Sequence, residues 1–255
     1  MPLTQGTIAY ATGIHIPGVY WKNFCAFPAL FSDKVSVVCK GVDDQRKRDI
    51  NKILIQRCMS LAAAFIGYGT GINGYKMPKI KVVCDYRGLD AYMVTYIDKH
   101  SEVMDVEVLA ADSRSAMQIV NKTYGEALKV VKTFAANAQH IHYRKRSWSH
   151  NIDLFFNELV ECKDTDFDNL LGTIIHEMIH SKQITTRRLC TSSGGYKWDG
   201  KSHEYIDQED GKFDLEAYNK LPWEAEAYTK TPEILANIQT FLTTGLVRGF
   251  NPKRV

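Results

Sequence analysis

The chain has 255 residues, of which 45% are hydrophobic and 11% aromatic; that is enough apolar matter for a sizeable core and excludes an intrinsically disordered chain. Its formal net charge of +3 is too small to argue for a nucleic-acid or anionic-membrane partner, and no apolar run approaches a membrane-spanning helix. The start, Met1-Pro2-Leu3-Thr4-Gln5-Gly6, lacks the charged segment and apolar core of a secretion signal, and six widely spaced cysteines with no Cys-x-x-Cys pair read as buried reduced thiols, so a cytoplasmic setting is expected.

Residues 1–33 are rich in Gly, Pro and aromatics, with a breaker stretch from Gly13 to Gly18, and are expected to form an irregular arm that packs on the body or on a partner protein. Residues 34–41 alternate weakly as a strand. Asp43 or Asp44 then opens a helix to about Gly67, charged in its first half and apolar in its second. Strands are expected at 79–84, 92–97 and 103–109, the last two as a hairpin over 98–102. Met117, Val120, Tyr124, Ala127, Val130 and Val131 have near-helical spacing, which predicts a second long helix from Ser113 or Ser115 to about Asn137. The segment His140 to His150 carries an Arg-Lys-Arg run with Tyr143 and Trp148; nothing else extends this basic patch, and a solvated edge is the expected role. Ile152, Leu154 and Phe156 alternate onto one face of a strand.

The next stretch carries the chemistry. Within Leu170-Leu171-Gly172-Thr173-Ile174-Ile175-His176-Glu177-Met178-Ile179-His180 lies His-Glu-x-x-His. Phe167, Leu171, Ile174, Ile175 and Met178 form an apolar helical stripe, and Thr165 with Asp168 reads as a capping box. Histidines at i and i+4 lie one above the other on a helix, so His176 and His180 can chelate one cation, with Glu177 beside it to take a proton from a bound water. A catalytic zinc takes three protein ligands and keeps one position for water, so a third ligand is expected downstream. Past a polar loop at 185–195 and an Asp-Gly hairpin at 196–201, Leu221-Pro222-Trp223-Glu224-Ala225-Glu226-Ala227-Tyr228 offers a helix start with two glutamates. Glu224, Glu226 and His203 are the candidates, and residues two apart on a helix point to different sides, so only one glutamate should ligate. Thr231-Pro232-Glu233 is expected to restart a helix that Gly245 closes, ahead of a basic tail.

His-Glu-x-x-His followed by Glu-x-x-Ala on a later helix resembles the gluzincin zinc metallopeptidases, and the segment of about residues 140–230 is similar to small bacterial and phage metallopeptidase-like proteins. The resemblance implies a Zn2+ cofactor on His176, His180 and Glu224, Glu177 as general base, and close helix packing at Ala227. It also implies a peptide or protein substrate laid along the edge strand before the metal helix. The chain departs from the gluzincin pattern at Tyr228, where that family has Asp. SprT-like metalloproteases, with three histidines, would instead make His203 the third ligand, but their expected His-Gly step is missing here.

These readings together predict an α+β protein: a single zincin-like metalloprotease domain over 34–255, with a mixed sheet packed on the metal helix, behind the 1–33 arm. Tyr228 leads the candidates for oxyanion stabiliser, with Tyr218, Tyr205 and His203 also close in sequence. Two other function classes remain open. One is a structural component of a phage particle or other assembly that keeps the fold. The other is a metallohydrolase acting on a different amide, although a deformylase would need a cysteine ligand that Cys162 does not supply.

Overall fold

The computed structural model describes residues 3–69, 76–86, 90–110, 113–133, 149–156, 166–192, 195–204 and 215–246. The protein is a mixed α+β structure whose main core is built on a parallel three-stranded sheet. Strands β1 (Val35–Lys40), β2 (Lys79–Asp85) and β6 (Ser149–Phe155) run in the order β1-β2-β6. Helix α3 (Gln45–Ile66) connects β1 and β2, and a helical crossover of this kind is what makes neighbouring strands parallel. Asp44 caps α3 by accepting from Lys47 N at 3.0 Å, and Gly67 ends it in the left-handed conformation.

The first 33 residues are not an irregular arm. Helices α1 (Gln5–Thr12) and α2 (Gly18–Ala26) occupy them, and Ile8, Ile14 and Phe24 are wholly buried in the main core. The Gly13–Gly18 breakers mark the corner between two helices, with Gly13 at φ 76° as the cap of α1. Each helix is too short to display a clear 3.6-residue period, which is why the sequence pattern missed them.

The expected long second helix is also corrected. Helix α4 (Ser113–Thr123) stops, and β5 (Glu126–Thr133) follows as a strand. Strand β5 pairs antiparallel with β3 (Asp90–Ile97), which also pairs with β4 (Val103–Ala110) in the expected hairpin. Gly125 forces the change: a Cβ there would lie 2.0 Å from the Ile97 carbonyl oxygen, so the chain turns where only glycine fits. Instead of one mixed sheet, the described strands form three separate three-stranded sheets, one parallel and two antiparallel. The β4-β3-β5 sheet and α4 have their own small core, from Tyr92, Val94 and Val108 to Ala116 and Val120.

Helix α5 (Asp166–Thr185) carries the His-Glu-x-x-His motif and packs against α3 and against α7 (Pro222–Thr244). Its predicted stripe is buried at Phe167, Leu171, Ile174, Ile175 and Met178. Asp168 accepts from Gln239 Nε2 of α7 at 2.9 Å, while Thr165 lies outside the described residues. Between the two helices run β7 (Leu189–Ser192), β8 (Gly195–Trp198) and β9 (Lys201–Glu204), then the short α6 (Leu215–Asn219). Strands β8 and β9 meet over Asp199-Gly200, both at positive φ, as the Asp-Gly turn predicts. Part of the expected 185–195 loop is therefore α5 and β7.

No new helix starts at Pro232. Helix α7 runs unbroken through it, with Ala227, Ile238, Phe241 and Leu242 buried on both sides of the proline. Proline cannot donate to the carbonyl four residues back, but packing on both flanks outweighs that one lost bond. Among the described residues, no helix is long and apolar enough to cross a membrane. The basic 140–148 segment and the C-terminal tail lie outside the described residues.

Candidate metal centre

Helix α5 places His176 and His180 one turn apart, and the first turn of α7 brings Glu224 against them. The ligand atoms form a nearly equilateral triangle. His176 Nε2 and His180 Nε2 are 3.1 Å apart, and each is 3.3 Å from Glu224 Oε2. A tetrahedral ion with bonds of about 2.0–2.1 Å holds its ligand atoms about 3.3 Å apart, so the triangle has the size of one face of a zinc coordination sphere. Among the described residues, these three are the group of His, Cys, Asp and Glu side chains able to hold a metal ion. Glu226 and His203, the other candidates, stand outside the triangle.

Hydrogen bonding makes this a site of converging acceptors. The Gln183 amide donates through Nε2 to the Trp223 carbonyl at 3.0 Å and to Glu226 Oε2 at 2.9 Å. Both partners can only accept, which fixes the amide orientation and turns Gln183 Oε1 toward His180 Nδ1 at 2.8 Å. That nitrogen then carries a proton, so a neutral His180 turns the lone pair of Nε2 toward the triangle, and a protonated one donates from Nε2 to Glu224. Glu224 adds a carboxylate oxygen, while its other oxygen, Oε1, accepts from the Tyr218 hydroxyl at 2.7 Å. His180 and Glu224 are thus each oriented by a group behind them, as metal-binding histidines and carboxylates require.

Glu226 has a supporting role. It accepts from Arg188 Nη1 at 2.8 and 3.0 Å and from Lys230, while Arg188 also makes a paired contact with Asp199 at 2.9 and 3.0 Å. The Arg188 guanidinium lies 4.3 Å over the Trp198 ring. The Asp-Gly hairpin thereby reaches the triangle through Asp199, Arg188, Glu226, Gln183 and His180 in turn. Sequence reasoning missed Gln183, whose signal was its position three residues after the second histidine, on the same helix face.

Charge follows the same logic. Burial pushes Glu224 up, but hydrogen bonds from His176 and His180, the charge of His180 and the Tyr218 hydroxyl bring it down to about 2. Burial would lower His180, yet the hydrogen bond and charge of Glu224, with Glu177 and Gln183, raise it. Glu177 is buried with Oε1 3.8 Å from His176 Nε2. Burial first, with the neighbouring Glu224 charge and against the pull of His180, raises it to about 8. A cluster of two carboxyls and two imidazoles kept from water in this way is an arrangement that a divalent cation relieves.

The remaining candidates divide clearly. The Tyr228 ring centroid lies 4.9 Å from that of His176, and the side chain is 51% exposed. The Tyr218 hydroxyl is engaged by Glu224. His203 packs edge-on against the Trp223 ring at 5.5 Å, and Tyr205 lies outside the described residues. On the other side of α5, Ser181 Oγ lies 2.6 Å from His150 Nδ1, which ties strand β6 to that helix. Comparison with known proteins finds no family model, no curated protein and no solved structure that matches this chain.

Proposed function

We propose that the protein is a zinc-dependent peptidase, with His176, His180 and Glu224 holding the ion and Glu177 as general base. The observation that carries this reading is the triangle of ligand atoms with edges of 3.1 to 3.3 Å, beside a buried carboxyl. Zinc in that position supplies an electrophilic centre and a water of lowered pKa.

Glu177 accepts a proton from the attacking water and delivers it to the departing amine nitrogen. Its burial beside the triangle keeps competing water from the carboxyl through both steps. Tyr228, half-exposed over the His176 ring, donates to the developing oxyanion, a role that Tyr218 gives up to hold Glu224. Strand β6 pairs on one side with β2, and among the described residues its other side pairs with no strand. A substrate peptide adds there as a further strand, supported by main-chain hydrogen bonds.

The test is metal content by mass spectrometry on wild type, Glu224→Ala and His203→Ala, followed by cleavage of a peptide library by wild type and Glu177→Gln. One zinc per chain is expected in wild type and His203→Ala, and none in Glu224→Ala. Glu177→Gln should bind zinc and lose cleavage by about 10²–10⁴-fold. A folded wild type that takes up no zinc overturns the reading, as does loss of metal in His203→Ala alone.

A further inference from the structure

Away from the metal centre, two cysteines are placed together by the parallel sheet. The register of β1 and β2 sets Cys39 directly beside Cys84. Side chains paired in this way point to the same face, and here that face is the core, where Cys84 is buried and Cys39 is partly covered. Adjacent strands run about 4.8 Å apart, within the span of about 4.4–6.8 Å that a disulfide bridges between Cα atoms.

The two thiols are chemically unequal. The neighbouring Cys84 thiol first, against burial and helped by the Arg48 charge, holds Cys39 below the usual thiol range. Cys84 is held well above it by the Cys39 thiol at its side, by burial, and by the charges of Cys39 and Asp85. Burial first, and then the charges of Cys84 and Cys39, push up the Tyr86 hydroxyl, which donates to the Asn51 side chain. Cys39 is therefore the more accessible and more readily ionised thiol, with the buried Cys84 at its side. Cys25 and Cys58 have their thiols raised, by burial first.

We propose that Cys39 and Cys84 form a redox pair that hydrogen peroxide converts to a cross-strand disulfide. The Cys39 thiolate attacks one peroxide oxygen, the O–O bond breaks, and the departing hydroxide takes up a proton to become water. The Cys84 sulfur then attacks the sulfur of the resulting Cys39 sulfenic acid. The S–O bond breaks, and its hydroxyl leaves as water with the Cys84 proton. The dithiol gives up two electrons, and the peroxide is reduced to two waters. This pair is independent of zinc and of the peptidase reading.

The experiment treats the reduced full-length chain with hydrogen peroxide, blocks remaining thiols under denaturing conditions and maps unreduced peptides. Two of the six thiols should be lost, the Cys39 and Cys84 peptides should be joined, and dithiothreitol should reverse both effects. In Cys84→Ser the sulfenic acid at Cys39 should persist and be captured by dimedone. Oxidation of wild type to sulfinic acid at Cys39 without a link overturns the proposal. So does linkage of other cysteines in place of this pair. The wild-type map decides even if the variant fails to fold.

Discussion

Glu224 and Glu226 stand two positions apart on one helix and carry different duties. Glu224 turns its carboxylate into the triangle, and Glu226 turns away to Arg188 and Gln183. Helical geometry made that separation legible in the sequence, because side chains at i and i+2 leave the helix in different directions. The motif spacing made His176, Glu177 and His180 legible for the same reason. Gln183 was not legible as a functional residue, because its importance depends on a carbonyl and a carboxylate supplied by a distant helix. Replacing Gln183 with Leu should free the His180 ring to rotate and to change tautomer, weakening zinc binding by about 10–100-fold. Competition against a chromophoric chelator measures this, with Lys230→Ala as the exposed control expected to stay near wild type. Equal affinities in wild type and Gln183→Leu would remove the glutamine from the support of the site.

The elements that were legible are those with a long period or a turn signature: α3, α5, the β3–β4 hairpin and the Asp-Gly hairpin of β8 and β9. The misread ones show what periodicity omits. Residues 126–133 carry an apolar spacing compatible with a helix, yet they complete a sheet because Gly125 has room only for hydrogen against the Ile97 carbonyl. Tertiary contact outweighed local preference there. Gly125→Ala should accordingly destabilise the protein by more than about 2 kcal/mol, since backbone must move to admit a methyl group. Urea unfolding measures the change, and a loss within about 0.5 kcal/mol would show that the β5 turn yields easily. The reverse error occurred at Pro232, where a local stop signal was overruled. The buried side chains of α7 on both flanks, and the Thr231 hydroxyl bonded to the Ala227 carbonyl at 2.8 Å, hold the helix through the proline.

In the molecule as a whole, the buried carboxyl of Glu177 sets the response to pH. Its folded pKa of about 8 lies above the ordinary value of 4.5, so its contribution is present below pH 4.5 and is lost as pH rises through 8. His150 acts in the opposite sense. Burial lowers it from 6.5 to about 4, so its contribution is complete above pH 6.5 and is lost as pH falls toward 4. The two slopes oppose each other between pH 4.5 and 6.5, and above that Glu177 acts without this opposition. The Glu177 share of the loss between pH 6.5 and 8 is about 2 kcal/mol in metal-free wild type. The raised His180 adds to it in the same direction, and Glu177→Gln should lose less than wild type by about the Glu177 share. Unfolding titrations at the two pH values measure this, and equal slopes in the two proteins would place the Glu177 carboxyl in a wetter setting. Saturating zinc should also flatten the wild-type slope, because the ion favours the charged carboxylate and binds only the folded chain. Trp223, buried beside Glu224 with its carbonyl held by Gln183, adds a further consequence. The proposed site thus carries its own lamp: a paramagnetic ion such as cobalt bound there would quench this indole at short range, so occupancy could be followed by the dimming of intrinsic fluorescence without any attached dye.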